Sequence, residues 1–381
     1  MVSVLSTTAP QLDSAHVGTG SAAGFSTRLA GRAETRSMLE LDGLRAVAVL
    51  AVAWSHWAPR DLLFGLPWGT GVQLFFVISG FLITGILLDN KPTEASPAAS
   101  RRLWRNFYLR RALRIFPLFY LVLLVSWWFS VDPIESTWQW HAFYLSNVYY
   151  FLGNSRDAFL HFWSLSVEEQ FYFIWPFLVL LLPARQLQTA LILMIVAAPM
   201  FKSAVIATSG MEQVRYLPVS CLDALGIGAL LASTARQPIQ VRWNASAIGS
   251  VCLFLGLPVA VAVGALQAIA SLPSWLDAIG HTGLVLFYGW IVIRAAEGFG
   301  GAVSAVLRFK PITYLGKISY GIYIYHFFAP RIVSALGIDS LHNGVTGRLA
   351  AYSIVTLVIA ALSWHAFEAP INGLKRWVPY R

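Results

Sequence analysis

LDGLRAVAVLAVAWSHW, residues 41–57, is the stretch whose reading decides the fold. It reads as an apolar helix with Arg45 toward one end and His56 toward the other. At 3.6 residues per turn, positions 45 and 56 are about three turns apart and share one face, roughly 16 Å from each other along the axis. A cation and a titratable imidazole on one stripe of a membrane-spanning helix are costly to keep there, which marks them as candidates for function. The plain alternative is an arginine reaching a headgroup and a histidine satisfied by a backbone carbonyl.

The chain around this stretch fits a membrane setting. Of its 381 residues 57% are hydrophobic and only 12% are charged, about half the charged fraction of a soluble domain. Apolar runs long enough to span recur at about ten places: 41–57, 71–88, 113–130, 165–182, 188–207, 217–233, 246–264, 275–293, 314–336 and 348–367. The fold expected is an all-α polytopic bundle of about ten spans. Lysine and arginine fall in alternate loops with a bias of roughly three to one, which puts both termini in the cytoplasm. That bias also accounts for the net charge of +9 without nucleic acid. The domain plan is a disordered cytoplasmic tail over 1–37, a membrane domain over 38–371 and a short basic tail over 372–381, in the plasma (inner) membrane as a multi-pass protein. Residues 1–37 lack the apolar core of a secretory signal.

Charge is unevenly spent. The loop after the second run becomes strongly basic from Arg101 to Arg114, suggesting a short interfacial helix that leads into the third span. Its basic residues anchor orientation, and their number leaves room for a second role in binding a polyanion. Arg111 and Arg114, one turn apart, suit bidentate contacts to phosphate, with Arg110 assisting. The segment from 131 to 162 is rich in Trp, Tyr, Phe and His and reads as an aromatic belt or as a platform for sugar faces. HFWSLSVEEQFYFIWP, residues 161–176, brings Ser164, Glu168 and Tyr172 onto one face, and a buried carboxylate near His56 would orient its imidazole. LGKISYGIYIYHF, residues 315–327, contributes Tyr320 and His326, the latter either a packing residue or a functional one. Cys221 and Cys252 lie in apolar runs and read as packed thiols. His and Cys are too scattered for a zinc site, and no nucleotide-binding glycine loop is present.

Five of these blocks, in this order and spacing, resemble the acyltransferase-3 family of integral membrane O-acyltransferases. LDGLRAVAVLAVAWSH resembles its R-x(10)-H opening; GVQLFFVISGFLI, FYLRRALRIFP, HFWSLSVEEQFYFIWP and LGKISYGIYIYHF resemble the later blocks, covering residues 40–370. The resemblance implies transfer of an acyl group, most simply acetyl, from cytoplasmic acyl-CoA to a hydroxyl of an extracytoplasmic or lipid-linked carbohydrate, with no metal. It makes Arg45 and His56 the reaction pair and Arg111 and Arg114 the donor-handling pair. Because the chain stops at Arg381, it resembles the stand-alone form, without an SGNH-type domain. On this basis His56 is the expected general base, Arg45 positions the donor or stabilises the carbonyl oxygen, and Glu168 orients His56. Ser164, Tyr172, Tyr320 and His326 are the expected substrate-binding residues. A macrolide or other small acceptor is an alternative within the class. A secondary transporter of a polar or lipid-linked solute is the alternative outside it, since intramembrane Arg, His and Glu occur there too.

Overall fold

The computed structural model describes residues 20–92, 96–154, 157–236, 245–269, 273–337 and 344–380, with side chains from residue 38 except over 267–269. Helices are joined by short turns, and no strand occurs among the described residues. The first helix, α1 (Gly20–Trp57), runs well ahead of the apolar stretch that announces it. Residues 1–19 of the expected tail lie outside the described residues. Toward its end α1 packs on α2 (Gly71–Asp89), α10 (Trp275–Glu297), α11 (Gly301–Leu307), α12 (Lys310–Lys317) and α13 (Ser319–Tyr325). Glu40 is buried and ties α1 to α11 and to the turn before it: its carboxylate accepts from the Phe299 amide at 2.7 Å and the Ser304 hydroxyl at 2.6 Å.

The innermost pair is α2 and α8 (Leu222–Ala235). They touch through small residues. A β-carbon at Gly80 would land on the Leu225 carbonyl, and one at Gly228 on the Val77 carbonyl. In lipid, where apolar burial alone gives little drive, such close backbone approach supplies the packing. Around this pair stand α3 (Pro97–Trp128), α6 (Phe162–Leu181), α7 (Ala184–Ser209), α9 (Ala245–Ile269) and α15 (Val345–Ser363), the last two presenting most of their surface outward. The basic stretch over 101–114 and the third apolar run are one continuous helix, α3, rather than an interfacial helix followed by a span. Ser96 caps it by accepting from the Ala99 amide, and Pro97 occupies a first-turn position where its missing N–H is not needed.

The aromatic segment after α3 is a folded cap, not a belt alone. It forms α4 (Ile134–Ala142) and α5 (Ser146–Phe151) and buries His141, Tyr150 and Phe159, while Trp138 and Phe143 stay exposed. Tyr150 donates to Asp157 at 2.6 Å, and the Phe159 amide donates to the same carboxylate oxygen.

Of the ten expected spans, six coincide with helices long and apolar enough to cross a membrane: Trp68–Asp89, Ala184–Ser209, Pro218–Ala235, Ala245–Leu266, Trp275–Glu297 and Val345–Trp377. The other four, over 41–57, 113–130, 165–182 and 314–336, are helical but less apolar or less continuous. These four, with the residues just ahead of them, carry every site residue named from the sequence. The run at 314–336 departs furthest from expectation. It is broken into α12, α13 and α14 (Ala329–Ala335), where one continuous helix was expected. Two contacts accompany the breaks. Gly316 lies so close to α1 that a β-carbon would strike the Asp42 carbonyl. The turn after Tyr325 leaves helix-end carbonyls for side chains to use.

Candidate functional site: two cavities divided by Phe76

Among the described residues, two interior cavities each take a residue from α1. The first, a cavity of about 100 Å³, is lined by Arg45 of α1, Ser79 of α2, Arg111 and Arg114 of α3, and Ser164, Glu168, Glu169 and Tyr172 of α6, with Tyr320 and Tyr323 of α13. Arg45 is braced one turn back, its Nη1 donating to Asp42 Oδ1 at 2.7 Å. Ser79 donates to Glu168 Oε1 at 2.6 Å and accepts from the Tyr172 hydroxyl at 3.0 Å. The Arg111 guanidinium lies over the Tyr172 ring, 5.5 Å from its centroid. Among the described residues neither Arg111 nor Arg114 has a hydrogen-bond or ion-pair partner. Two unpaired guanidinium groups in a low-dielectric cavity are unfavourable by themselves and suit a ligand with several anionic oxygens.

The second cavity, about 420 Å³, is lined by His56 at the far end of the α1 stripe, with Trp163, Lys202, Tyr216, Asp223 and His281 among its walls. Trp163 and Tyr216 form an aromatic corner, ring centroids 5.3 Å apart. His56 is exposed to this space. Its Nδ1 lies 2.9 Å from Nε2 of His326, which is fully buried, and His326 Nδ1 lies 2.6 Å from the Tyr323 carbonyl oxygen.

Phe76 lines both cavities and is 1% exposed. Its ring meets Trp163 edge to face, with centroids 6.1 Å apart, and Phe75 meets Tyr323 in the same way. This aromatic wall divides a cation-rich chamber from a histidine-bearing one.

The structure brings together most, but not all, of the residues singled out in the sequence. Arg45, Arg111, Arg114, Ser164, Glu168, Tyr172 and Tyr320 share the first cavity, whereas His56 faces the second. Three placements are corrected. Glu168 does not reach His56: its Oε1 is bound to Ser79 in the arginine cavity, and the group against His56 is His326. His326 itself lines neither cavity. Arg110 turns away from the arginine cavity and donates to the carbonyls of Lys375 and Val378 at 2.9 and 3.0 Å, with its guanidinium over the Tyr380 ring. Ser79, Lys202 and Asp223 were not anticipated. Lys202 had a signal, a lone cation in an apolar run; Ser79 in α2 had none.

All-helical, crossed by apolar helices and with charged side chains turned inward, the chain is a multi-pass membrane protein with a polar interior site. The family model described as an acyltransferase domain matches residues 38–366, and the chain belongs to that family, acyltransferase 3. Similar proteins include YrhL of Bacillus subtilis (strain 168), provisionally named a peptidoglycan O-acetyltransferase. It is 30% identical over 369 residues, covering 87% of this chain and 54% of YrhL. The peptidoglycan O-acetyltransferase OatA of Listeria monocytogenes is 28% identical over 370 residues, covering 87% and 55%. The O-acetyltransferase OatA of Staphylococcus aureus is 27% identical over 358 residues, covering 87% and 57%. The chain thus spans about half the length of the curated relatives it matches. No solved structure matches it.

Proposed function

We propose that the chain is a membrane O-acyltransferase that moves an acetyl group from acetyl-CoA, held in the arginine cavity, to a hydroxyl of a glycan entering the histidine cavity. The observation that carries this reading is the division of labour along α1: Arg45 opens on one cavity, His56 on the other, and Phe76 alone of the α2 residues lines both. Arg111 and Arg114 meet the pyrophosphate and 3′-phosphate of CoA as charge-assisted donors. The pantetheine arm extends along the α1 stripe toward His56, a path of roughly 16 Å at 1.5 Å per residue. That separation favours a role for Arg45 in holding the donor over one at the reacting carbonyl oxygen, since a group on the base cannot also touch a guanidinium three turns away.

His56 takes the proton of the acceptor hydroxyl, the alkoxide oxygen bonds to the thioester carbonyl carbon, and the carbon–sulfur bond breaks. The CoA thiolate leaves and receives the proton from His56, so the residue returns to its starting form. A positioned base of this kind contributes about 10²–10⁴-fold. Support for a glycan acceptor comes from relatives named as peptidoglycan O-acetyltransferases and from the Trp163–Tyr216 corner, whose rings suit the C–H face of a sugar. The Arg cavity faces the cytoplasm, where acyl-CoA is found, and the membrane is the plasma (inner) membrane.

Purified protein incubated with radiolabelled acetyl-CoA and peptidoglycan fragments tests the reading. Label in the glycan, lost with His56→Ala, is the expected result. Uptake of unmodified glycan into vesicles without label transfer would point to a carrier instead.

A further inference from the structure

The contact between His56 and His326 carries more than proximity. A carbonyl oxygen only accepts, so the 2.6 Å contact between His326 Nδ1 and the Tyr323 carbonyl fixes a proton on Nδ1. His326 is 0% exposed, and no carboxylate bonds to it among the described residues; an imidazolium there would be a bare buried charge. In the neutral ring the other nitrogen, Nε2, holds a lone pair and accepts. The 2.9 Å contact therefore runs from His56 Nδ1–H to His326 Nε2. That leaves the proton-accepting lone pair of His56 on its own Nε2, on the residue's cavity-exposed ring.

We propose that His326 is a positioning residue that sets the tautomer and orientation of His56, so that Nε2 is the basic nitrogen offered to the acceptor hydroxyl. The proposal rests on the reading of His56 as general base. It explains the break after Tyr325. A helix running through this point would consume the Tyr323 carbonyl; ending it frees that oxygen, and leaves the His326 carbonyl with only a long 3.4 Å bond from the Ala329 amide. The first accepts from His326 Nδ1, and the second accepts from Trp57 Nε1 at 2.9 Å, tying the turn to the residue next to His56. His161 holds the turn from the other side. Its Nε2 donates to the Ile324 carbonyl at 3.1 Å, its ring stacks on Phe327 with centroids 5.0 Å apart, and it stands 5.3 Å from the His326 ring. The orienting acceptor of His56 is thus an imidazole backed by a backbone carbonyl, where a carboxylate does the same work in many hydrolases.

Two variants and one spectrum test the assignment, all on the full chain. His326→Leu keeps the bulk and removes the acceptor; kcat should fall about 10²-fold while KM for acetyl-CoA stays within about twofold, because the donor cavity is untouched. His326→Gln places an amide oxygen near the lost Nε2 and should recover about tenfold of that loss. In ¹⁵N-histidine-labelled protein, the His56 signal, assigned by its loss in His56→Ala, should show a protonated Nδ1 and a bare Nε2; this measurement needs no folded His326 variant. Wild-type kcat in a folded His326→Leu, or a His56 signal with the proton on Nε2, overturns the proposal. If His56→Ala itself keeps full activity, the base assignment fails, and the spectrum still reports the tautomer independently.

Discussion

Removing the paired guanidiniums of α3 one at a time tests the donor site quantitatively. Arg111 and Arg114 line the arginine cavity and, among the described residues, have no hydrogen-bond or ion-pair partner to lose. Their deletion therefore breaks no hydrogen bond or ion pair among the described residues. A hydrogen bond to a charged group contributes about 1.5–3 kcal/mol. At about 1.36 kcal/mol per decade, each single Ala substitution should raise KM for acetyl-CoA about 10- to 150-fold. Because the phosphates are remote from the reacting carbon, the loss is one of uniform binding, and kcat at saturating donor should change by less than about threefold. Arg110→Ala is the internal control: one residue away but bonded to the Lys375 and Val378 carbonyls, it should leave KM within about twofold. The assay is initial-rate acetyl transfer in proteoliposomes over a range of acetyl-CoA, repeated with CoA lacking the 3′-phosphate. An unchanged KM in Arg111→Ala with Arg114→Ala, or an equal effect from Arg110→Ala, would refute the phosphate assignment.

Other substitutions separate the two cavities and probe the scaffold. His56→Ala should lower acetyl transfer by at least about 10²-fold while acetyl-CoA binding, read by equilibrium dialysis, stays near wild type; loss of donor binding would mean that His56 belongs to the donor site. Glu168→Gln should keep kcat within about threefold, since its carboxylate bonds Ser79 and not His56; a His56→Ala-like collapse of kcat would restore the role that the geometry denies it. Gly228→Ala puts a β-carbon onto the Val77 carbonyl and should destabilise the α2–α8 contact by about 1–3 kcal/mol. A melting temperature equal to wild type in detergent would show that the two helices do not pack as described.

What the sequence disclosed and what it hid follow one physical rule. Charges in apolar helices are expensive, so Arg45, His56, Arg114 and Glu168 stood out wherever they fell. Periodicity placed Arg45 and His56 on one stripe, and both do turn inward. Depth and partner choice were not legible. Glu168 and His326 were both reasonable neighbours for His56, and only the three-dimensional packing of α6 and α13 against α1 and α2 separates them. The broken run at 314–336 was hidden for a related reason. The residues at its break, His326, Phe327 and Phe328, include no glycine or proline, and the contacts made there, such as Trp57 to the His326 carbonyl, join positions far apart in the chain. Arg110, Arg111 and Arg114 looked equivalent as a basic cluster. Helical angle and the returning C-terminal segment divide them into one that ties down backbone and two that face a cavity.

The central claim is that donor and acceptor meet from opposite faces of the bilayer at the Phe76 wall. Proteoliposomes loaded with labelled acetyl-CoA inside and given membrane-impermeant glycan only outside measure this directly. The account predicts glycan acetylation in that arrangement and almost none when both substrates are confined to the outer solution. Equal acetylation with both substrates on one side would contradict it.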